Sequence, residues 1–174
     1  MLSGGNAIIA RRTLERVGGF SPLLGPRAGR RLFSCEDEDM YLRLVEADAE
    51  GWYLPQLIVY HHIHQNRLSK RYYRRWCFWN GASKSVLALA HPWTLPRVAG
   101  VPRHLYRSAV RGAVTMLKHT AKPTAPARRF AAELLIWDLA GHLYGRHFYS
   151  ARWRADRRHL GATPRSERIG TTVR

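Results

Sequence analysis

Apolar positions change their period along this chain, and each change marks an expected element. Residues 4–9, Gly-Gly-Asn-Ala-Ile-Ile, form a short apolar run entered through glycines and predict a buried strand. Thr13 is placed to cap a short helix containing Leu14, Glu15 and Val17, which Gly18-Gly19 then stops. From Phe20 a loop rich in Gly, Pro and Arg follows, with Gly25, Pro26, Arg27, Gly29, Arg30 and Arg31. Met40, Leu42, Leu44 and Val45 give an apolar face to a helix expected over about 37–47. Trp52–Pro55 and Leu57–Tyr60 read as a bent strand that ends at His61-His62.

Beyond this the character of the chain changes. Residues 67–79 interleave Arg and Lys with Tyr, Trp and Phe, and residues 82–90 are small and apolar. Pro92, Pro96 and Pro102 punctuate a linker. Residues 103–118 carry the cleanest amphipathic pattern. Arg103, Arg107, Arg111 and Lys118 share one side, while Leu105, Ala109, Ala113, Met116 and Leu117 lie largely opposite. Residues 128–145 predict a more apolar helix, interrupted by Glu133 and Asp138. The basic tail from about Arg152 has few apolar residues and is expected to be disordered.

Charge divides the chain in two. Residues 1–50 hold seven Lys/Arg and eight Asp/Glu, whereas residues 51–174 hold twenty-two and four. The net charge of +17 calls for an anionic partner: nucleic acid, an anionic membrane face or a phosphorylated substrate. Against this background Cys35-Glu36-Asp37-Glu38-Asp39 is an anomaly, since crowded carboxylates raise one another's pKa. Cys35 and Cys77 make neither a disulfide framework nor a metal spacing, which points to a reducing compartment. Met1 leads into Ser-Gly-Gly-Asn rather than a secretory signal, and no apolar run approaches the roughly 18 residues of a spanning helix.

An ordered set of motifs adds a resemblance. Gly4-Gly5-Asn6-Ala7, Arg11-Arg12, Val17-Gly18-Gly19-Phe20, Glu36-Asp37-x-Asp39 with Arg43, Pro55 and His61 occur in that order. Residues 3–81 thereby resemble the acceptor-side half of a bacterial family-two glycosyltransferase of GT-A fold, and also the galactosyltransferase C-terminal domain pattern. The stretch through Ile63, Arg67, Tyr72 and Gly81 is similar to the segment that closes the active site in many members. The resemblance implies an α/β fragment, part of a Rossmann-like GT-A domain, followed by a mostly helical C-terminal region. The expected organisation is an acceptor-side half over 1–81, amphipathic membrane-associated helices over 82–148 and a basic tail over 149–174.

The family's nucleotide-binding half lies N-terminal and carries an Asp-x-Asp metal motif. Here Met1 falls just before the Gly-Gly-Asn turn, so that half is expected outside this chain, and the chain is expected to be inactive alone. Arg75-Trp76 echo the Gln-x-x-Arg-Trp of processive synthases, but Tyr72 stands where Gln would, so processive synthesis is not implied.

The resemblance assigns roles. Asp37 is the expected general base, which takes the acceptor hydroxyl proton during an inverting transfer. Glu36 braces it or binds the acceptor, and Asp39 pairs with Arg43 at i, i+4. The bland reading of these acids is a helix start enriched in solvated carboxylates. His61 is the expected ligand of a divalent metal, Mg2+ or Mn2+; read alone, it is an ordinary structural histidine. Arg67 and Tyr72 would grip the donor diphosphate, where a planar guanidinium suits phosphate oxygens; read alone, they belong to a solvated basic helix face. Gly4, Gly5 and Asn6 would form the turn near the donor sugar; read alone, they are an ordinary turn.

The partners implied are a nucleotide-sugar donor, a glycan or lipid-linked acceptor and an anionic membrane surface on the cytoplasmic face. The basic amphipathic helix over 103–118 suits that surface. Two other readings stand beside the transferase: a non-enzymatic binder of nucleic acid or anionic surfaces, and an inactive truncated product. Nucleic acid is the less expected partner, because no zinc-finger, RRM or KH signature is present.

Overall fold

The computed structural model describes residues 4–26, 33–92, 94–119, 126–151 and 154. The protein is mostly helical, and among the described residues the one sheet has two short strands. This overturns the expected α/β fragment. Gly4–Asn6 form a single 3-10 turn, and residues 7–10 continue without regular structure. Residues 52–60 form no strand and are exposed throughout. Both segments have apolar runs, but a strand also needs a ladder partner for its backbone groups, and no partner is supplied there. The nearest substitute is one side-chain bond, from Asn6 Nδ2 to the Leu57 carbonyl at 2.8 Å.

Helix α1 spans Arg11–Val17. Thr13 is not its cap: the helix begins two residues earlier, and the Thr13 and Leu14 amides both donate to the Ala10 carbonyl. Gly18, at φ 82°, ends it as expected. Helix α2 spans Glu36–Glu46 and follows Cys35, a residue in the left-handed region that provides no side-chain cap. Four consecutive acids in its first turn compensate, since carboxylates favour the positive end of the helix dipole. At the other end Asp48 takes φ 48°, and the Ala49 and Asp48 amides close on the Leu44 and Val45 carbonyls at 2.9 and 3.0 Å. This is a Schellman stop.

Helix α3, Lys70–Ala90, is the centre of the molecule. Ser69 caps it by accepting from the Tyr72 amide at 3.2 Å. It is one continuous helix through residues 81 and 82, where the organisation expected from sequence placed a boundary. Strands β1 (Arg97–Val98) and β2 (Val101–Pro102) make a hairpin that leads directly into α4, Arg103–Lys118. Helix α5, Pro126–Tyr144, continues into a π-helical turn at Gly145–Tyr149. The basic tail expected beyond Arg152 lies outside the described residues, Arg154 excepted.

Helices α3, α4 and α5 pack through small residues. A Cβ added at Gly141 would collide with the Phe78 carbonyl, and one at Gly145 with Ser85 and Ala82. Gly81 and Gly112 stand in the same relation to the Asp138 and Ala132 carbonyls. Gly141 and Gly145 lie four residues apart, so both face α3 and the two backbones approach closely. Arg74 of α3 forks onto Glu133 of α5, with one bond of 2.9 Å. Phe33 ties the N-terminal segment to this bundle, with its ring 5.5 Å from Trp79 and 4.8 Å from Tyr149. Leu23, Leu24, Val86 and Leu87 complete that core. Trp79 meets Tyr144 edge to face and Phe78 meets it at a tilt, so these two aromatics of the basic run 67–79 serve packing, while Tyr73 and Trp76 remain exposed.

Candidate functional site

The acidic turn is anchored before it is functional. The Ser34 amide donates to Ser83 Oγ at 3.0 Å and the Ser34 hydroxyl to Asn80 Oδ1 at 2.9 Å, which fixes the entry to α2 against α3. Each acid then has its own environment. The Glu36 side chain packs against Gly25, where an added Cβ would meet its Cδ at 3.1 Å. Gly25 takes φ 85°, so glycine is needed there twice over. Glu38 faces the Cys35 thiol, and burial together with that carboxylate pushes the thiol up to about 12. Asp37 is half-buried on the same first turn.

Asp39 is the buried member, at 5% exposure. Its Oδ2 pairs with Arg43 Nη2 at 2.8 Å and accepts from Nε at 3.0 Å, so the pairing expected at i, i+4 is present. The Arg43 guanidinium also donates to the Val17, Gly18 and Gly19 carbonyls at 2.8, 3.2 and 2.9 Å. One planar fork therefore ties the acidic helix to the C-terminal end of α1, where a cation also suits the helix dipole.

A residue not singled out from the sequence completes this centre. His91, just beyond α3, places Nε2 3.0 Å from Asp39 Oδ1 and Nδ1 2.8 Å from Glu46 Oε1. With a carboxylate at each nitrogen, both can donate only as imidazolium. Burial pulls the His91 pKa down, but the bonds to Asp39 and Glu46 outweigh it and hold the pKa above the ordinary histidine value. Local pattern carries no signal for this, because Asp39 and Glu46 lie 52 and 45 residues away.

The other expected site residues lie apart in character. Arg67 donates through Nε to Tyr72 Oη at 2.8 Å and lies 5.4 Å from the ring centroid, so the two form a pair with each other. Gly5 and Asn6 are exposed on the first turn, which begins at Gly4. His61 is exposed, and the neighbouring His62 and His64 rings meet edge to face at 5.0 Å. Among the described residues no group of three or more His, Cys, Asp or Glu converges to hold a metal ion. His61 belongs to no such group.

No protein family, no curated protein and no solved structure matches this chain.

Proposed function

We propose that the chain contributes the acceptor-side part of an inverting sugar transferase that works at an anionic membrane surface. The observation that carries this reading is the Arg43 clamp. It joins the Gly18-Gly19 turn to the acidic helix, and thereby gives a physical reason for two of the motifs on which the resemblance rests to occur together. In this reading Asp37 accepts the proton of the acceptor hydroxyl. The oxygen bonds to the anomeric carbon as the bond from that carbon to the nucleoside diphosphate breaks, and the diphosphate leaves with the electron pair. Asp39, buried and paired, keeps the first turn of α2 in place rather than reacting. Arg67 and Tyr72 would meet the diphosphate, and Glu36, Gly4, Gly5 and Asn6 would border the sugars.

The test is transfer from a nucleotide sugar with the nucleotide-binding half of such an enzyme supplied. Asp37→Asn is expected to lower kcat by at least about a hundredfold with the melting temperature unchanged. Equal turnover by both forms would remove Asp37 from the role of base.

A second reading, a non-enzymatic binder of anionic surfaces, is favoured by α4. Arg103, Arg107, Arg111 and Lys118 are exposed on its outer face, and Val110, Val114 and Leu117 beside them are 63%, 45% and 76% exposed. That strip suits the headgroup boundary of an anionic bilayer. No described helix is long and apolar enough to cross a membrane. Flotation with anionic vesicles tests this: Arg103→Gln/Arg107→Gln is expected to weaken binding, and binding independent of anionic lipid would exclude the surface.

A further inference from the structure

An open cleft of about 290 Å3 lies between the hairpin and the end of the C-terminal helix. Its walls include Ala99, Gly100, Arg146, His147, Ser150 and Arg154. Ala99 and Gly100 form the two-residue turn of the hairpin, with φ of 48° and 75°. Positive φ at both positions is the type I′ pattern that matches strand twist. The Arg146 side chain lies over Gly100 so closely that an added Cβ there would displace it. His147 Nε2 donates to the Ala99 carbonyl at 3.0 Å and latches the turn to the helix.

The opposite wall is built around the π-helical turn, a geometry found disproportionately at functional sites. The Ser150 hydroxyl donates to the Arg146 carbonyl at 2.5 Å. The Arg154 guanidinium donates to the Ser150 carbonyl at 3.3 Å and to its hydroxyl at 3.4 Å. Arg146, Ser150 and Arg154 thus follow one another at four-residue spacing along one wall of the cleft.

Among the described residues this cationic cleft has no acidic counterpart: no carboxylate lines it, and neither Arg146 nor Arg154 has an acidic partner there. Arg43 and Arg74, by contrast, each have a carboxylate. Two guanidinium groups facing one cleft repel each other, and an oxyanion between them relieves the repulsion. A planar fork beside a hydroxyl matches the tetrahedral oxygens of phosphate. The volume of about 290 Å3 lies just below the roughly 300–1,000 Å3 range of drug-sized ligand pockets, which suits a phosphate group with a small substituent.

We propose that this cleft is a binding site for a phosphate group, carried either by a small soluble ester or by a phospholipid headgroup. The site stands independently of the transferase reading and of the outer face of α4.

The test uses the full chain at low salt with two probes: inorganic phosphate by calorimetry, and charge-matched vesicles of phosphatidic acid or phosphatidylglycerol by flotation. Two variants address the cleft. Arg146→Gln/Arg154→Gln removes the cations, and Ala151→Glu introduces a carboxylate at an exposed position of the lining without touching the latch. Loss of phosphate affinity by at least about tenfold in Ala151→Glu, with Arg103→Gln/Arg107→Gln unchanged, supports a soluble ester. A preference for phosphatidic acid over phosphatidylglycerol that disappears in Ala151→Glu supports a headgroup. Should the unaltered chain bind no phosphate and show no such preference, the proposal falls. It falls equally if Ala151→Glu binds as the unaltered chain does, whether or not the double variant folds.

Discussion

Arg43 and Asp39 meet at 2.8 Å across one turn of α2, and the same guanidinium closes over three carbonyls at the end of α1. Helix α1 has seven residues, too few to persist in water without tertiary support. The Arg43 guanidinium ties the end of this short helix to the next one. This accounts for the burial of Asp39 while the acids before it are less buried: Asp39 neutralises the clamp.

Removing the clamp separates its two roles. Arg43→Ala leaves Asp39 buried with His91 as its remaining cationic partner. It is expected to cost about 2–4 kcal/mol, somewhat below a fully buried pair because the Arg43 side chain is 22% exposed. Arg43→Lys keeps the charge but cannot serve Asp39 and three carbonyls together. It is expected to cost less in a urea titration, yet to speed hydrogen exchange through α1. Unchanged exchange in α1 with Arg43→Lys would show that the carbonyl contacts do not hold that helix.

The His91 bridge predicts a pH dependence with a definite sign. Its folded pKa is raised, by Asp39 and Glu46 acting against burial. Its stabilisation is therefore complete below the unfolded value of about 6.5 and is lost as pH rises through the raised folded value. His142 acts in the opposite sense. Burial lowers its pKa, so its stabilisation is present above the unfolded value and is lost as pH falls. The measurement is thus a difference: the melting temperature of the native chain minus that of His91→Gln between pH 5 and pH 9. That difference should shrink towards alkaline pH, and a constant difference would mean that His91 is not charged in the bridge.

The two cysteines should be silent in the folded state. Burial, reinforced by Glu38, raises Cys35 to about 12, which leaves a thiolate fraction of about 10^-4 at pH 8. Cys77 is raised as well, by burial and then by Asp138. Iodoacetamide at pH 8 is therefore expected to label neither residue until the chain is unfolded by urea. Rapid labelling of Cys35 under native conditions would mean that the turn before α2 opens.

What the sequence disclosed depended on whether an element's partners are local. Helix α4 occupies Arg103–Lys118, the span that its periodicity predicts, and α2 lies within a residue of expectation at each end. The Asp39–Arg43 pair follows from helical spacing alone. The strands expected at 4–9 and 52–60 fail for the complementary reason. An apolar run shows that a segment can be buried but not that a neighbouring strand exists to complete its hydrogen bonds. His91 was equally hidden, since its partners come from a helix far back in the chain. The roles of Gly81, Gly112, Gly141 and Gly145 could not be read at all, because each is defined by a carbonyl or side chain on another helix.

Those glycines support the sharpest prediction about stability. Gly141 has the Phe78 carbonyl and the Ala82 amide where its Cβ would be, and both are rigid backbone rather than adjustable side chain. Gly141→Ala favours helix intrinsically by up to about 1 kcal/mol, and at an exposed position it would be stabilising. Here the added methyl group must separate α3 from α5, and overpacking of a well-filled interior costs about 1–3 kcal/mol or more. Arg74 and Glu133 span the same helix pair, and the Arg74 side chain is 40% exposed, so solvent screens the pair and Glu133→Gln should cost less than Gly141→Ala. The expected order of urea midpoints is therefore native, then Glu133→Gln, then Gly141→Ala. A Gly141→Ala midpoint at or above that of the native chain would mean that the two helices are not in backbone contact at this point.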